Sequence, residues 1–290
     1  MKVHRQIAGL LATLSVATAI AAGLTHALAL SPDGKTLALA GSGSRKIELR
    51  EPATGRLAGE IDSRRDYVWS IAFATPDRLF SSGAGPNVTG WDVPRRRVER
   101  EVPGRFEGPN WIAASPDGKR IAQRFPGGVV TIHDLDAPEQ ARELSDVANA
   151  LMPSVAFSPD GRRIAYASDL DPDKSAATCI LIDDFETQQA KRLGEEAFVL
   201  ISALAWSPDG RLIAVASENP GEPDTARVVT ILSAATGTRL QVMSGHADMI
   251  RDLAFTPDGT KLLSASQDTT LLLWDLAAAL EKLRTGRAEQ

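Results

Sequence analysis

Three acidic residues spaced two apart form the pattern that comes nearest to a metal site. Asp169, Asp171 and Asp173 stand in the stretch DLDPDKS, as the first three ligands of an EF-hand calcium loop do. That loop also needs glycine at its sixth position and glutamate at its twelfth, where this chain has Lys174 and Ile180. The stretch therefore indicates a solvated acidic loop, and we expect neither a metal nor a cofactor.

Other residues that could do chemistry are scattered. His4, His26, His133 and His246 lie far apart, without the spacing of metal ligands. The sequence contains no GxSxG, Walker A or HExxH motif. The single cysteine, Cys179, lies in the apolar run TCILI, which is typical of a buried strand. We therefore predict that the protein is not an enzyme and has no catalytic residues.

Composition is that of a soluble globular protein. Of the 290 residues, 43% are hydrophobic and 24% are charged. The net charge of −5 gives no electrostatic reason to bind nucleic acid. We therefore expect the partners of this chain to be proteins. We also expect the chain itself to be a monomer.

The first thirty residues differ from the rest. Lys2 and Arg5 are followed by no charged residue until Asp33, and the run IAGLLATLSVATAI precedes AAG at 21–23. A basic start, an apolar run and small residues are typical of a secretory signal. We predict that 1–23 is a signal peptide and that 24–290 is exported, periplasmic or extracellular, which one cysteine suits in a bacterial protein. An uncleaved membrane anchor and a first strand of the fold are the alternatives.

One turn motif recurs along the chain. SPDG stands at 31–34, 115–118, 158–161 and 207–210, TPDG at 256–259 and TPDR at 75–78. Pro presets a type I turn, Ser or Thr and Asp can hydrogen-bond nearby backbone, and Gly accepts positive φ. Short runs rich in Val, Ile, Ala and Phe flank each copy, which predicts a β-hairpin.

The copies recur every 40 to 49 residues, which is typical of a β-propeller blade. A third run follows each hairpin, as KIELRE, NVTGWDV, VVTIHDL, CILIDDF, RVVTILS and LLLWDL. More polar fourth strands follow in places, such as RLAGEI at 56–61 and RLQVM at 239–243, and only AAALEKLR has helical period. We predict an all-β fold, a β-propeller of four-stranded antiparallel blades, with six blades and seven as the alternative.

The unit 245–275 resembles a repeat of the WD-repeat β-propeller family. It opens on Gly-His, contains TPDG and closes on Trp-Asp, and none of the first five units has the Gly-His pair. The resemblance implies a hydrogen-bonded structural tetrad that locks strands together. Its members would be His246, Ser264 (or Ser266), Asp268 and Trp274.

The resemblance also implies that an N-terminal strand closes the ring by pairing with the last blade. That strand would lie at about residues 10–20, which competes with the signal peptide. If the signal is removed, the last blade uses EKLRTG at 281–286 or stays three-stranded.

The face opposite the turns carries the loops that vary in length. Units four and five have insertions at 168–177 and 217–226. We predict that their acidic residues contact a partner, namely Asp169, Asp171, Asp173, Glu218, Glu222 and Asp224. Units two and three instead hold Arg64, Arg65, Arg105 and Arg124. Such a two-sided charge distribution could orient a protein partner, although loops are also charged simply because water solvates them.

A second candidate surface lies where each inner strand begins. The positions equivalent to Arg251 are His26, Trp69, Asn110, Pro153 and Ser202. An aromatic-Arg patch there could anchor an interface, although packing between blades would also explain Trp69. The predicted interaction residues of this rim are His26, Tyr67, Trp69, Asn110, Trp111 and Arg251.

These observations predict a non-catalytic propeller that serves as a protein–protein interaction scaffold, exported or membrane-tethered. One alternative is a secreted propeller enzyme or ligand-binding protein with a site at the channel mouth. The rim set opposes it, since it offers one histidine and no carboxylate. The other alternative is the sensor domain of a larger anchored protein.

Overall fold

The computed structural model describes residues 25–41, 44–83, 85–104, 110–125, 129–137, 141–144, 154–169, 178–195, 198, 200–218 and 227–285. Within these residues, strands form six antiparallel sheets, five of four strands and one of three. The sheets follow one another along the chain and are the blades of a ring, which we number 1 to 6. The predicted six-bladed propeller is therefore confirmed, and the seven-bladed alternative is not.

In each blade the strands run outward in chain order. The innermost strands are β1 (Thr25–Leu30), β5 (Val68–Thr75), β9 (Trp111–Ala114), β13 (Val155–Phe157), β17 (Leu200–Trp206) and β21 (Ile250–Phe255). The second strands are β2 (Leu37–Gly41), β6 (Arg78–Gly83), β10 (Arg120–Arg124), β14 (Arg163–Asp169), β18 (Leu212–Glu218) and β22 (Lys261–Ser266). The third strands are β3 (Lys46–Arg50), β7 (Val88–Asp92), β11 (Val130–Asp134), β15 (Thr178–Asp184), β19 (Arg227–Ser233) and β23 (Leu271–Asp275). The fourth strands, in blades 1 to 5, are β4 (Leu57–Asp62), β8 (Arg97–Val102), β12 (Ala141–Leu144), β16 (Gln189–Arg192) and β20 (Arg239–Ser244).

The repeated turn joins the first two strands of each blade. In blade 1 the Ser31 hydroxyl donates to Asp33 Oδ1 at 2.6 Å, and Gly34 has a φ of 70°. The other four turns that end in Gly repeat both features. The geometry is the one that the motif predicts, because a positive φ favours glycine.

Each of these turns also touches a turn of the next blade. A methyl group added to Gly34 would lie 2.8 Å from Cγ of Pro257, and one added to Gly210 would lie 3.2 Å from Cγ of Pro159. In blades 1, 4, 5 and 6 the turn thus places its glycine beside the proline of the blade before it, whereas Gly118 of blade 3 lies beside Thr75 of blade 2. The contact of blade 1 with blade 6 shows that the ring is closed on this face.

The buried apolar side chains form six clusters, and each cluster lies between two neighbouring blades. The second strands carry most of this burial, as in β18, where residues 212–217 are all buried. The outermost strands are polar, as in β16, whose four residues are all exposed. A blade therefore buries its two faces only against its neighbours, which is why the sequence has to repeat.

The last blade has three strands within the described residues, and helix α1 (Ala277–Thr285) follows it. Asp275 Oδ1 accepts a hydrogen bond from the N–H of Ala277, and the apolar side of the helix packs beside β20. The prediction that EKLRTG could form a fourth strand is wrong, because Ala279, Leu280 and Leu283 recur at helical spacing and pack together on one face.

The N-terminal alternatives stay predictions. Residues 1–23, with the proposed closing strand at 10–20, lie outside the described residues. No helix in the part of the chain that is described is long and apolar enough to cross a membrane.

The structure brings together the four residues of the tetrad implied by the resemblance. Nε1 of Trp274 donates to Oγ of Ser264 at 2.8 Å, and the same Oγ lies 2.6 Å from Nε2 of His246. Nδ1 of His246 lies 2.9 Å from Oδ2 of Asp268. Ser266 is not part of this chain of hydrogen bonds, since its hydroxyl donates to the carbonyl of Asp248 at 2.8 Å.

The proton positions in the tetrad follow from its pKa directions. Burial lowers the pKa of His246 and outweighs Asp268, which raises it. Burial would raise the pKa of Asp268, but hydrogen bonds, including those from Thr270 and His246, hold it below its usual value. A neutral imidazole then donates from Nδ1 to the Asp268 carboxylate and accepts from the Ser264 hydroxyl at Nε2. Each polar hydrogen has one acceptor, so the tetrad links β22 and β23 to the segment before β21, and the Ser264 hydroxyl is fully buried.

Replacing Ser264 by Ala should therefore destabilise the protein. Two buried nitrogens, Nε2 of His246 and Nε1 of Trp274, would lose their partner, at a cost of about 2–4 kcal/mol. Urea unfolding followed by circular dichroism would measure this loss. Ser266→Ala is the matched control and should cost about 1 kcal/mol, because its hydroxyl bonds two backbone groups, the carbonyl of Asp248 and the N–H of Asp268, that belong to partly exposed residues. Equal losses in the two variants would contradict the assignment of Ser264.

Candidate functional site

The inner strands begin with β-bulges at the channel mouth. The pairing of β1, β5, β17 and β21 with their second strands shifts by one residue near the start of each inner strand, at the second residue of β1, β5 and β21 and at the third residue of β17. The unpaired residues there are His26, Trp69, Ser202 and Arg251. The sequence had placed these four at equivalent positions, and their equivalence is confirmed. The side chain of His26 and all of Pro153 lie outside the described residues.

Three aromatic side chains form a continuous surface beside the mouth, which we call the aromatic ledge: Tyr67, Trp69 and Trp111. The rings of Tyr67 and Trp69 are stacked with centroids 6.0 Å apart, and Trp69 is followed by Trp111 at 6.4 Å. Tyr67 is 47% exposed, while the two tryptophans are half-buried. The ledge combines a half-buried base of two tryptophans with an exposed outer ring, an arrangement found in interface anchors.

Asn110 is not available to a partner. Its side chain is fully buried, and its backbone carbonyl accepts a hydrogen bond from Ser82 Oγ at 2.7 Å. The prediction that it belongs to the contact surface is therefore wrong. The physical reason is that it precedes β9 in the narrow space between blades 2 and 3, where it is covered by both.

A small cavity, which we call the channel cavity, opens inside the ring just below the ledge. Its walls come from blades 2 to 6 and include Trp69, Trp111, Ser154, Ser202, Arg251 and Asp252. Among the residues that line it, Arg251 is the single base and Asp252 the single acid. The cavity has a volume of about 30 Å³, which is room for one or two water molecules.

Asp252 is the site residue that the sequence reading missed. Its Oδ2 accepts a hydrogen bond from the N–H of Leu28 in blade 1 at 2.9 Å, and its Oδ1 accepts from the N–H of Leu253 at 2.9 Å. Burial raises the pKa of Asp252 to about 7, against the lowering effect of these two bonds. The prediction that the rim offers no carboxylate is therefore wrong.

The sequence does contain a signal for Asp252, at the residue that follows the Arg251-equivalent position in each inner strand. Pairing of the strands makes its equivalents Ala27, Ser70, Trp111, Ser154 and Ala203. One carboxylate in a ring of otherwise uncharged side chains stands out. Comparing the blades at Arg251 alone does not reveal Asp252, because the bulge brings two successive residues, Arg251 and Asp252, into the same channel.

The predicted basic sector is smaller than the sequence suggested. Arg124 is fully buried, and its Nη1 donates to the carbonyl of Ser154 at 2.9 Å. It therefore ties blade 3 to blade 4 and offers no surface charge. Arg64 and Arg65 lie in the link between β4 and β5, while Arg105 lies outside the described residues.

The two acidic insertions begin where second strands end, and most of their residues lie outside the described ranges. Asp169 and Glu218 are the last residues of β14 and β18, so both insertions start at the ends of second strands. The side chains of these two residues, with the whole of Asp171, Asp173, Glu222 and Asp224, lie outside the described residues. Their role in partner contact stays a prediction. Within the described ranges, no group of three or more His, Cys, Asp or Glu side chains could hold a metal ion.

Asp252 should make stability fall as pH rises from about 4 to about 7. The folded state binds the proton more tightly than the unfolded state, because the folded pKa is raised. The Asp252 carboxyl therefore does not lower the free energy of unfolding at pH values below its unfolded pKa. The reduction is largest above about pH 7, where it is of the order of a few kcal/mol.

The variant Asp252→Asn should remove this slope. It should be more stable than the parent at pH 8, and the difference should vanish near pH 4, as measured by urea unfolding across pH. Asp248→Asn, in the same blade but with a side chain about half exposed at 49%, should leave the slope unchanged. A parent protein whose stability difference from Asp252→Asn does not vary with pH would contradict the raised pKa.

Comparison with known proteins gives local matches to repeats and a match of the whole fold. The family model described as "WD domain, G-beta repeat" matches residues 189–219 and 237–275. Each matched segment starts with the fourth strand of one blade and continues into the next blade. The repeat in the sequence is therefore offset from the blade by one strand.

Two curated relatives match about half of the chain. WD repeat-containing protein SL1-17 of Schistosoma mansoni is 31% identical over 137 residues, 46% of this chain and 44% of that protein. The tRNA (guanine-N(7)-)-methyltransferase non-catalytic subunit of Caenorhabditis elegans is 30% identical over 156 residues, 49% of this chain and 39% of that protein. The matched regions thus span less than half the length of these relatives.

A solved structure, Kuenenia stuttgartiensis hydrazine synthase, superposes with a TM-score of 0.68 at 20% identity. The match covers 90% of this chain and 79% of that one, and at this identity it shows the fold alone. Repeat matches in blades 4 to 6, a WD-repeat relative over about half of the chain and a closed six-bladed ring together show a β-propeller that contains WD repeats and resembles the WD-repeat β-propeller family.

Proposed function

We propose that this propeller is a non-catalytic, exported scaffold that binds a protein partner through the aromatic ledge. The observation that carries the proposal is the exposed ring of Tyr67 stacked on Trp69 at the channel mouth. Aromatic anchors on a rigid base contribute much of the binding energy of interfaces, because they lose little conformational freedom on binding.

Exposure distinguishes Tyr67 from the other aromatic residues. Among the described residues, the large apolar side chains that are exposed are Leu57, Tyr67 and Val242. Leu57 and Val242 lie alone on outermost strands, where a single apolar side chain is ordinary. Tyr67 instead continues into two further aromatic rings and lies on the loop face, where the insertions also begin.

The family supports a scaffold role in general terms. WD-repeat propellers commonly serve as protein-interaction scaffolds, and one relative is by name a non-catalytic subunit. The tetrad of blade 6 agrees with such a role, because its hydrogen bonds are satisfied within the blade. The acidic insertions of blades 4 and 5 are the second part of the proposed contact surface.

Export rests on the composition of residues 1–23 alone. Their removal would take away Lys2 and Arg5 and change the net charge from −5 to −7. Tethering by the same segment is the alternative form of this proposal.

Substituting Tyr67 should separate an interaction surface from packing. Tyr67→Ala should weaken binding to the partner about tenfold or more, since anchor side chains contribute about 2 kcal/mol or more. The partner would first be identified by a photo-crosslinking residue placed at position 67 in the native host and then purified for calorimetry.

The matched control is Leu57→Ala, a comparably exposed side chain on the outer strand of blade 1. It should leave the affinity unchanged, and a crosslinker at position 57 should not capture the same protein. Equal capture at both positions, or an unchanged affinity in Tyr67→Ala, would rule out the ledge as the anchor.

The N-terminal segment is testable by mass spectrometry of protein recovered from the native host. Export with cleavage predicts a mature chain that begins near Leu24 in the periplasmic or extracellular fraction. An intact N-terminus in the membrane fraction would establish the tether instead, and intact protein in the cytoplasm would contradict both forms of the proposal.

A further inference from the structure

We propose that the outer edge of β23 in blade 6 binds an extended segment of another protein, which adds a fourth strand to this blade. Strand addition is a general mode of peptide recognition, in which main-chain hydrogen bonds give affinity and side-chain contacts give specificity. The inference rests on the proposed removal of residues 1–23, because an intact N-terminal segment is the other candidate for this edge. The edge belongs to blade 6 and the aromatic ledge to blades 2 and 3, so the two surfaces are separate.

The backbone of β23 presents hydrogen-bonding groups on its outer side. The N–H of Leu276 donates to the carbonyl of Thr260 at 3.1 Å, which fixes the alternation of the ladder between β22 and β23. By that alternation, Leu271 and Leu273 direct their N–H and C=O groups away from β22. The equivalent residues of blade 5 pair with its fourth strand, β20. Within the described residues no strand lies on the outer side of β23, so these four groups are available to an incoming strand.

The chain turns away from this edge after β23. Nε2 of Gln241 in β20 donates to the carbonyl of Asp275 at 3.1 Å, and Oε1 of the same side chain accepts from the N–H of Ala279 at 3.0 Å. Helix α1 is therefore held beside β20 of blade 5 and does not run along β23.

The apolar cluster between blades 6 and 1 differs from the other five. Each of those contains a buried apolar residue that lies in a fourth strand or directly follows one, namely Ile61, Val102, Leu144, Leu193 and Met243. Within the described residues, the cluster between blades 6 and 1 holds no such residue, but it contains Leu271. The equivalents of Leu271 pair with those five residues across the ladder. An incoming strand that places an apolar side chain opposite Leu271 would therefore complete this cluster.

The fourth strands of the other blades also indicate which sequence fits the edge. The residues two positions before the buried apolar one are Gly59, Arg100, Arg142, Lys191 and Gln241. Four of them are polar, because this outer part of a blade is partly or fully exposed to water. We therefore expect the partner segment to carry a polar residue, then any residue, then an apolar residue that faces Leu271.

The composition of β23 favours pairing with another strand. The described fourth strands all contain charged residues, as in RVEREV of β8 and QAKR of β16. Charged residues on an edge strand deter pairing with other chains. β23 reads LLLWD, and its only charge lies at its last residue, Asp275. Of the six blades, blade 6 thus has the outer edge that is least protected against strand addition.

The test uses the protein as recovered from its native host and a synthetic peptide, RVEREVP, with acetylated and amidated ends. This is the sequence of residues 97–103, which contains β8. Blade 2 is the source because its third strand, like β23, ends on Trp-Asp. The peptide should bind in calorimetry at concentrations up to millimolar. The amide hydrogens of Leu271 and Leu273 should then exchange with solvent about tenfold more slowly or less than in the free protein.

Two altered peptides test the two kinds of contact. Val102→Asp should weaken binding about tenfold or more, because the apolar side chain opposite Leu271 is lost. Arg100→Pro should also weaken it about tenfold or more, because it removes the N–H that would donate to the carbonyl of Leu273. Both measurements use the parent protein, so they do not depend on the folding of a variant.

A variant of the protein tests the edge itself. Leu273→Pro should abolish peptide binding, since it removes an outward N–H while the ladder to β22 remains. Val242→Pro is the matched control, because Val242 is 43% exposed and its N–H points outward from β20 of blade 5. It should bind the peptide like the parent. Far-ultraviolet circular dichroism would show that both variants remain folded.

A photo-crosslinking residue at position 273 in the native host identifies the natural occupant. The segment joined to it should belong to another protein and carry the polar–x–apolar pattern. Joining to residues 1–23 of this chain, or to β23 of a second copy, would overturn the proposal.

Three further results would also overturn it. They are no binding of RVEREVP, equal binding of the Val102→Asp peptide, and unchanged binding by Leu273→Pro. Tyr67→Ala should bind the peptide like the parent while it loses the partner of the ledge, so failure of one proposal is distinguishable from failure of the other.

Discussion

Each blade can bury its faces only against the next blade, so the whole molecule depends on closure of the ring between blades 6 and 1. At that junction blade 6 has no outer strand within the described residues, and the contact is made by apolar side chains such as Leu28, Leu39 and Leu263. Asp252 reaches across it to the backbone of Leu28. The same carboxylate therefore bonds across the junction and lines the channel cavity, so its burial lowers stability where it is ionised.

Most of the fold could be predicted because its signals are local. A turn of four residues specifies its own geometry, and the apolar runs around it specify the first two strands. The third strands and the terminal helix were also located correctly. For the end of the chain the sequence left EKLR open between a polar strand and a helix, because its apolar side is recognised only where it packs beside β20.

The candidate site was less predictable, because it depends on relations between distant segments. Nothing in RDLAF shows that Asp252 faces a channel, since this follows from a one-residue shift in its pairing with β22. Arg124 and Asn110 are polar residues that reasoning from type alone assigns to the surface. Both are buried where blade 3 meets its neighbours, and only the assembled ring reveals this.

The contact between successive turns has a direction, since each blade offers a proline on one side and receives one beside its glycine on the other. A blade duplicated between two blades that carry the full motif would make the same turn contact with both of its new neighbours. The turns themselves would then need no redesign when such a blade is gained or lost. Blade 2 is the exception, because Thr75 takes the place beside Gly118 that proline holds elsewhere, and Arg78 replaces the glycine of its own turn. The two junctions of blade 2 therefore lack the glycine–proline contact, and duplicating blade 2 would not reproduce that contact.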